Sequence, residues 1–89
     1  MFVVKMKVLN TSQLTTALVA LKDLIVHSLV TREQVEYQIN GYDVTVNSRR
    51  TESIVTISGT LLSVVYTIPT NDVMGIMVNL HSAAKHLLK

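Results

Sequence analysis

Histidine is the residue type in this chain best suited to bind a metal ion or to move a proton near neutral pH. His81 and His86 are five residues apart, roughly 140° around a helix, so they point in different directions. His27 follows Asp23 by four residues, the spacing of neighbours on one helix surface. The sequence has no cysteine and no His-Glu-x-x-His motif. We therefore expect a surface Asp–His pair and no metal site.

Glu36 and Asp43 are the two carboxylates that the strand pattern places on one face. Paired carboxylates support acid–base catalysis only where burial makes one of them keep its proton, and on a hydrated face they act as solubilising charges. Serines and threonines fall in predicted caps and strands rather than in a nucleophile elbow. The three glycines are isolated, so no glycine-rich phosphate loop is present. These features predict a non-enzymatic protein without a cofactor or a catalytic residue.

Basic residues indicate how the chain could contact a nucleic acid. Arg49-Arg50 is the only pair of adjacent basic residues, and the net charge of +2 is too small to indicate nucleic acid by itself. The alternative is a solvated turn, together with lysines that protect an edge strand from aggregation. If the strands that carry them lie close together, the nucleic-acid contacts would be Lys5, Lys7, Thr45, Asn47, Arg49 and Arg50.

The stretch 34–47 must position several of these residues. Asn40-Gly41 separates two alternating apolar runs, and this dipeptide strongly favours a two-residue type I′ turn with positive φ at both positions. The turn fixes the register of a hairpin and gives it one apolar face and one polar face. The apolar face pairs Ile39 with Tyr42, Tyr37 with Val44 and Val35 with Val46, which assigns the first two tyrosines to the core.

Four further segments complete the predicted fold. Residues 2–9 alternate as a strand, residues 12–30 have the spacing of an amphipathic helix, and residues 53–68 are rich in Ile, Val and Thr around Gly59-Thr60. Pro69 ends the last strand, and a second amphipathic helix follows it. The predicted fold is α+β with the order β-α-β-β-β-β-α, in which a five-stranded, mostly antiparallel sheet carries both helices on one face. The other face stays open.

The first helix carries a second, narrower apolar stripe beside its main apolar face. One interpretation is that the stripe covers the edge of the sheet or the second helix. The other is that it forms the contact of a homodimer. The subunit contact would consist of Val19, Val26 and Val30.

The second hairpin decides which apolar residues reach the open face. Glycine at the first position of Gly59-Thr60 fits a type II′ turn, which pairs Ile57 with Leu62 and Val55 with Val64 on the core side. A large apolar patch among polar groups marks an interaction surface. The predicted interaction patch is Ile54, Leu61 and Val65, with Val3 and Leu9 on the same face.

Length and hydropathy limit the class of protein further. Eighty-nine residues are expected to form one domain, residues 1–89, with a modest core. Lys5 and Lys7 interrupt the apolar start, so no secretory signal is expected. Residues 14–30 are apolar enough to suggest a membrane helix, but Lys22-Asp23 lies at their centre and argues against it. We expect a cytoplasmic protein that does not enter a membrane.

The order of elements resembles one half of the TATA-box-binding-protein fold. The stretch 54–65, with the Ser58-Gly59 turn and the capped amphipathic helix that follows, looks like the corresponding hairpin and helix of that family. The family binds the DNA minor groove with its open sheet face and joins two halves into a saddle, so the resemblance implies a DNA-binding homodimer. The phenylalanine wedges of the family have no counterpart here, because the only phenylalanine, Phe2, is assigned to the core.

Two functions follow from these patterns. The first is a homodimeric module that binds DNA or RNA through the open sheet face and the Arg49-Arg50 turn. The alternative is a protein-interaction module, an adaptor or inhibitor that docks its open sheet face or a sheet edge on a larger protein. Salt dependence separates them, since only phosphate contacts weaken steeply with added salt.

Overall fold

The computed structural model describes residues 6–89, with side chains from Lys7 onward. The predictions for Phe2, Val3 and Lys5 lie outside these residues. The predicted order of elements is confirmed. The elements are β1 (Met6–Leu9), α1 (Leu14–Thr31), β2 (Val35–Ile39), β3 (Tyr42–Ser48), β4 (Glu52–Ser58), β5 (Ser63–Pro69) and α2 (Val73–Leu87).

The five strands form one sheet in the order β1-β2-β3-β4-β5. Strands β2 to β5 are antiparallel neighbours, and β1 is parallel to β2 because α1 returns the chain to the starting edge. The buried residues of β2 to β5 all lie on one face of this sheet, against the buried residues of both helices. The predicted α+β fold, with a mostly antiparallel sheet and two helices on one face, is confirmed.

The first hairpin has the predicted register. Asn40 and Gly41 take φ values of 52° and 84°, as a type I′ turn requires, and Ile39 pairs with Tyr42 across it. Val44 and Val46 are fully buried, and Tyr37 packs against the core. The apolar side of this hairpin therefore faces the helices.

The β4–β5 register differs from the prediction by two residues. Val64 pairs with Ile57 rather than Val55, and a four-residue loop, Gly59–Leu62, replaces the two-residue turn. The Gly59 N–H donates to the Leu62 carbonyl at 2.8 Å and closes this loop. A shift of two residues keeps the side chains of β4 and β5 on their predicted faces, whereas a shift of one would have reversed them, but it moves Leu61 and Leu62 into the loop.

The face assignment of β1 was wrong. Leu9 pairs with Ile39 and packs against the core, so it is not on the open face. Val8, the next residue along the strand, pairs with Gln38 and is exposed. Both sides of this strand carry apolar residues, so its alternation did not show which side faces the helices.

Candidate protein-interaction surface

The open face of the sheet is polar and carries negative charge. Strand alternation from the pairing registers places Glu36, Asp43 and Glu52 on it, among threonine, serine, asparagine and glutamine side chains. The described strand positions of this face hold no lysine or arginine, but Arg49 directly follows β3 beside it, and the Arg49 N–H donates to the carbonyl of Glu52 at 2.7 Å. The strands therefore offer hydrogen-bonding groups and carboxylates, while the Arg49-Arg50 turn places cations at one end of the face.

The structure separates the predicted nucleic-acid contacts. Thr45 and Asn47 lie on the open face, and Arg49-Arg50 is exposed at the turn that follows the same strand. Lys7 is on the other side of the sheet, where its Nζ lies 6.0 Å from the centre of the Tyr37 ring. Lys5 is outside the described residues. The second half of β3 and the turn after it thus carry four of the six residues, and Lys7 does not join them.

The predicted interaction patch is divided between the sheet and a loop. Ile54 and Val65 both lie on the open face, with Val65 opposite Thr56. Leu61 lies in the four-residue loop and is 94% exposed, and its neighbour Leu62 is 76% exposed. Val65 itself is 59% exposed. The exposed apolar residues of this region therefore belong to β5 and to the loop that precedes it.

Strand β5 forms one edge of the sheet and has β4 as its one neighbour among the described strands. The Gly59 N–H donates to the Leu62 carbonyl and the Thr70 N–H donates to the Thr51 carbonyl, which marks the two ends of the β4–β5 ladder. Bonded pairs recur at every second residue of an antiparallel ladder. The even-numbered residues of β5 therefore bond to β4, and the backbone groups that point to the free edge are those of Ser63, Val65 and Thr67, with the Pro69 carbonyl.

Apart from Pro69 at its end, this edge lacks the usual protection against pairing. Edge strands in monomeric proteins carry lysines, inward charges, bulges or prolines. The sequence has no charged residue between Glu52 and Asp72, and the β4–β5 pairing runs without a bulge from end to end. Pro69 occupies an outward-pointing position, where its missing N–H removes no bond to β4. A sheet edge was predicted as a docking site but not this edge in particular, because the order of the strands cannot be seen in a sequence; the long uncharged stretch was a signal.

The outer surface of the helix layer is also apolar. Val19, Val26 and Val30 are 51%, 48% and 76% exposed. Val19 and Met77 line a shallow groove between the helices, of about 210 Å³. Helix α1 is long and apolar enough to cross a membrane by length and composition alone, but its buried residues pack on the sheet as a core helix does. The subunit contact remains a prediction.

The histidines lie at separate places. His27 and Asp23 line a cavity of about 210 Å³ between α1 and β2 together with Lys7. His86 packs edge-on against Tyr42 and Tyr66 near the sheet edge. Among the described residues, no three His, Asp or Glu side chains are grouped so that they could hold a metal ion.

Comparison of the chain with protein-family models, with curated proteins and with solved structures finds no match. The resemblance to one half of the TATA-box-binding-protein fold therefore remains a prediction from the order of elements.

Proposed function

We propose that this protein is a non-enzymatic interaction module that binds an extended protein segment by adding it to the free edge of β5. The observation that carries the proposal is the uncharged row of outward backbone groups at Ser63, Val65 and Thr67. Strand addition of this kind takes its affinity from main-chain hydrogen bonds and its selectivity from alternate side chains. The exposed side chain of Val65 would contact the added segment on the open face.

Charge favours this proposal over nucleic-acid binding through the open face. Nucleic acid presents a dense row of phosphates, and proteins bind it by neutralising that charge with lysine and arginine. The described open face presents Glu36, Asp43 and Glu52 instead. Arg49-Arg50 is exposed at one end of this surface, next to Glu52, while Glu36 and Asp43 lie farther along the strands.

Peptide selection tests the proposal without a known partner. Random ten-residue peptides displayed on phage are selected against the dilute wild-type chain, and the enriched peptides are then measured against Val65→Pro. Proline at residue 65 removes the central outward N–H and no bond to β4, so the fold should persist. We expect affinity to fall at least about tenfold, since the lost hydrogen bond also leaves a carbonyl unpaired. Equal binding to both chains would refute the proposal.

A matched nucleic-acid experiment separates the two functions. The wild-type chain and the Arg49→Ala/Arg50→Ala double variant are titrated with a fluorescent DNA duplex and a single-stranded RNA at two salt concentrations. The edge proposal predicts weak binding that does not depend on the two arginines. Binding that falls steeply with salt and is lost in the double variant would favour the nucleic-acid function instead.

A further inference from the structure

We infer that the segment bound at the β5 edge is β5 of a second copy of the same chain, paired antiparallel about a two-fold axis at Val65. This inference rests on the proposed function, because it names the partner of the same edge. The product would be a ten-stranded sheet that continues through both copies, counting the five strands of each. Strand pairing across a two-fold axis is isologous, so each residue of one copy meets its symmetry counterpart.

The backbone geometry of β5 suits pairing with itself. With Val65 opposite Val65 of the second copy, Ser63 of each copy lies opposite Thr67 of the other. All of these positions direct N–H and C=O to the free edge, so every outward amide of both strands finds a carbonyl. Pro69 lies beyond the last of these amides and so costs the ladder no donor.

Charge does not oppose the pairing. In a two-fold contact each charged residue near the axis meets a like charge, which destabilises directly opposed strand positions. Strand β5 has no charged residue over Ser63–Pro69. The acidic residues of the open face lie on β2, β3 and β4, away from the axis.

The exposed apolar residues of this region give a second, independent reason. In the Val65-centred register, Leu61 and Leu62 of one copy come opposite Pro69 and Ile68 of the other, at both ends of the paired strands. Leu61 and Leu62 are 94% and 76% exposed in the single chain. Pairing would cover Val65 and both leucines in each copy, which adds apolar burial to an interface otherwise made of hydrogen bonds.

Substitution of Val65 by a cation in one variant and by an anion in another tests whether the two-fold axis passes through this residue. Val65→Lys and Val65→Glu each place two like charges face to face, and an equimolar mixture places opposite charges there. By light scattering we expect a wild-type dimer, single variants that dimerise at least about tenfold more weakly, and a mixture that recovers the dimer.

Val26→Lys is the matched control, because Val26 is 48% exposed against 59% for Val65 and lies on the helix layer. It should leave the dimer intact. Far-ultraviolet circular dichroism confirms that each variant is folded.

Two other light-scattering results would overturn the β5–β5 dimer. A dimer that Val26→Lys breaks and Val65→Lys spares would overturn the inference in favour of the Val19, Val26 and Val30 contact. A wild-type chain that stays monomeric at all accessible concentrations would also overturn it. If that monomer still binds selected peptides and loses them in Val65→Pro, the proposed function survives while the inference about its partner fails.

Amide hydrogen exchange of the wild-type chain provides a test without substitution. The amides of Val64, Tyr66 and Ile68 bond to β4, so they should exchange slowly at every protein concentration. The amides of Ser63, Val65 and Thr67 should exchange rapidly in dilute solution and become protected as concentration rises through the dimer transition. Concentration-independent exchange of these three amides in a sample that dimerises would place the contact elsewhere.

Discussion

The side-chain amide of Asn40 donates a hydrogen bond of 2.8 Å to the backbone carbonyl of Leu87, and so joins the first hairpin turn to the C-terminal turn of α2. The same side chain exchanges two further bonds with Thr11, accepting from its N–H at 2.7 Å and donating to its carbonyl at 2.8 Å. The Asn40 backbone N–H also donates to the Leu9 carbonyl at 2.9 Å. One turn residue thus connects β1, the β1–α1 connection and α2.

Asn40→Gly should destabilise the fold although it preserves the turn. Glycine adopts the positive φ of this position readily, so the substitution removes the side-chain bonds without straining the backbone. Three part-buried hydrogen bonds are lost, and we expect the free energy of unfolding to fall by about 2 kcal/mol in urea denaturation. Asn71→Gly, at an exposed position before α2, is the control and should change it by less than about 0.5 kcal/mol. Equal effects would show that the Asn40 bonds contribute nothing.

Ser28→Ala should lower the free energy of unfolding, because it removes a hydroxyl that bonds to two backbone groups. Ser28 is fully buried, and its hydroxyl donates to the Glu33 carbonyl at 2.7 Å while accepting from the Ser48 N–H at 2.9 Å. Alanine leaves both backbone groups without this partner, and each unpaired buried group costs about 1–3 kcal/mol. We expect a loss of at least about 2 kcal/mol by thermal denaturation. Ser82→Ala, exposed on α2, should be nearly neutral, and a neutral Ser28→Ala would mean that water replaces the hydroxyl.

The two hairpins show how far local sequence determines a sheet. Asn40-Gly41 specified its register because only residues tolerant of positive φ can form a type I′ turn. Gly59 gave no such constraint. Among the described glycines only Gly41 has positive φ, and Gly59 instead begins a four-residue loop. The faces were still predicted correctly for β4 and β5, since alternation survives a shift of two residues.

The candidate site was less predictable than the fold. Which strand forms an edge depends on strand order, which arises from contacts between distant parts of the chain and leaves no local pattern. Val65 was predicted on the open face, and its exposure follows from that uncovered face together with its place on an edge strand, which was not predicted. The orientation of its outward amides follows from the observed β4–β5 register, which Gly59-Thr60 alone did not reveal.

The observed β4–β5 register predicts that truncating Ile57 destabilises the fold much more than truncating Leu62. Ile57 is fully buried, and Ile57→Ala should lower the free energy of unfolding by about 2–5 kcal/mol through lost burial and a cavity. Leu62 lies in the exposed loop, so Leu62→Ala should cost about 0.5 kcal/mol or less. Urea denaturation should be done at low protein concentration, where association makes no contribution. In the type II′ register Leu62 would face Ile57, and both substitutions would then be costly.

Gly75 provides a last prediction, because its place in α2 is set by a close contact rather than by helix propensity. Glycine inside a helix costs about 1 kcal/mol relative to alanine, so Gly75→Ala would ordinarily stabilise the protein. A Cβ here would lie 3.0 Å from Cγ of Pro69 and 2.9 Å from Oδ2 of Asp72. The exposed Asp72 side chain can rotate away, whereas the Pro69 ring is held in β5. We expect Gly75→Ala to give no stabilisation in the wild-type chain.

In a Pro69→Ala background the same change should stabilise by up to about 1 kcal/mol. A double-mutant cycle by urea denaturation measures this coupling, and purely additive free energies would show that the ring does not constrain the glycine.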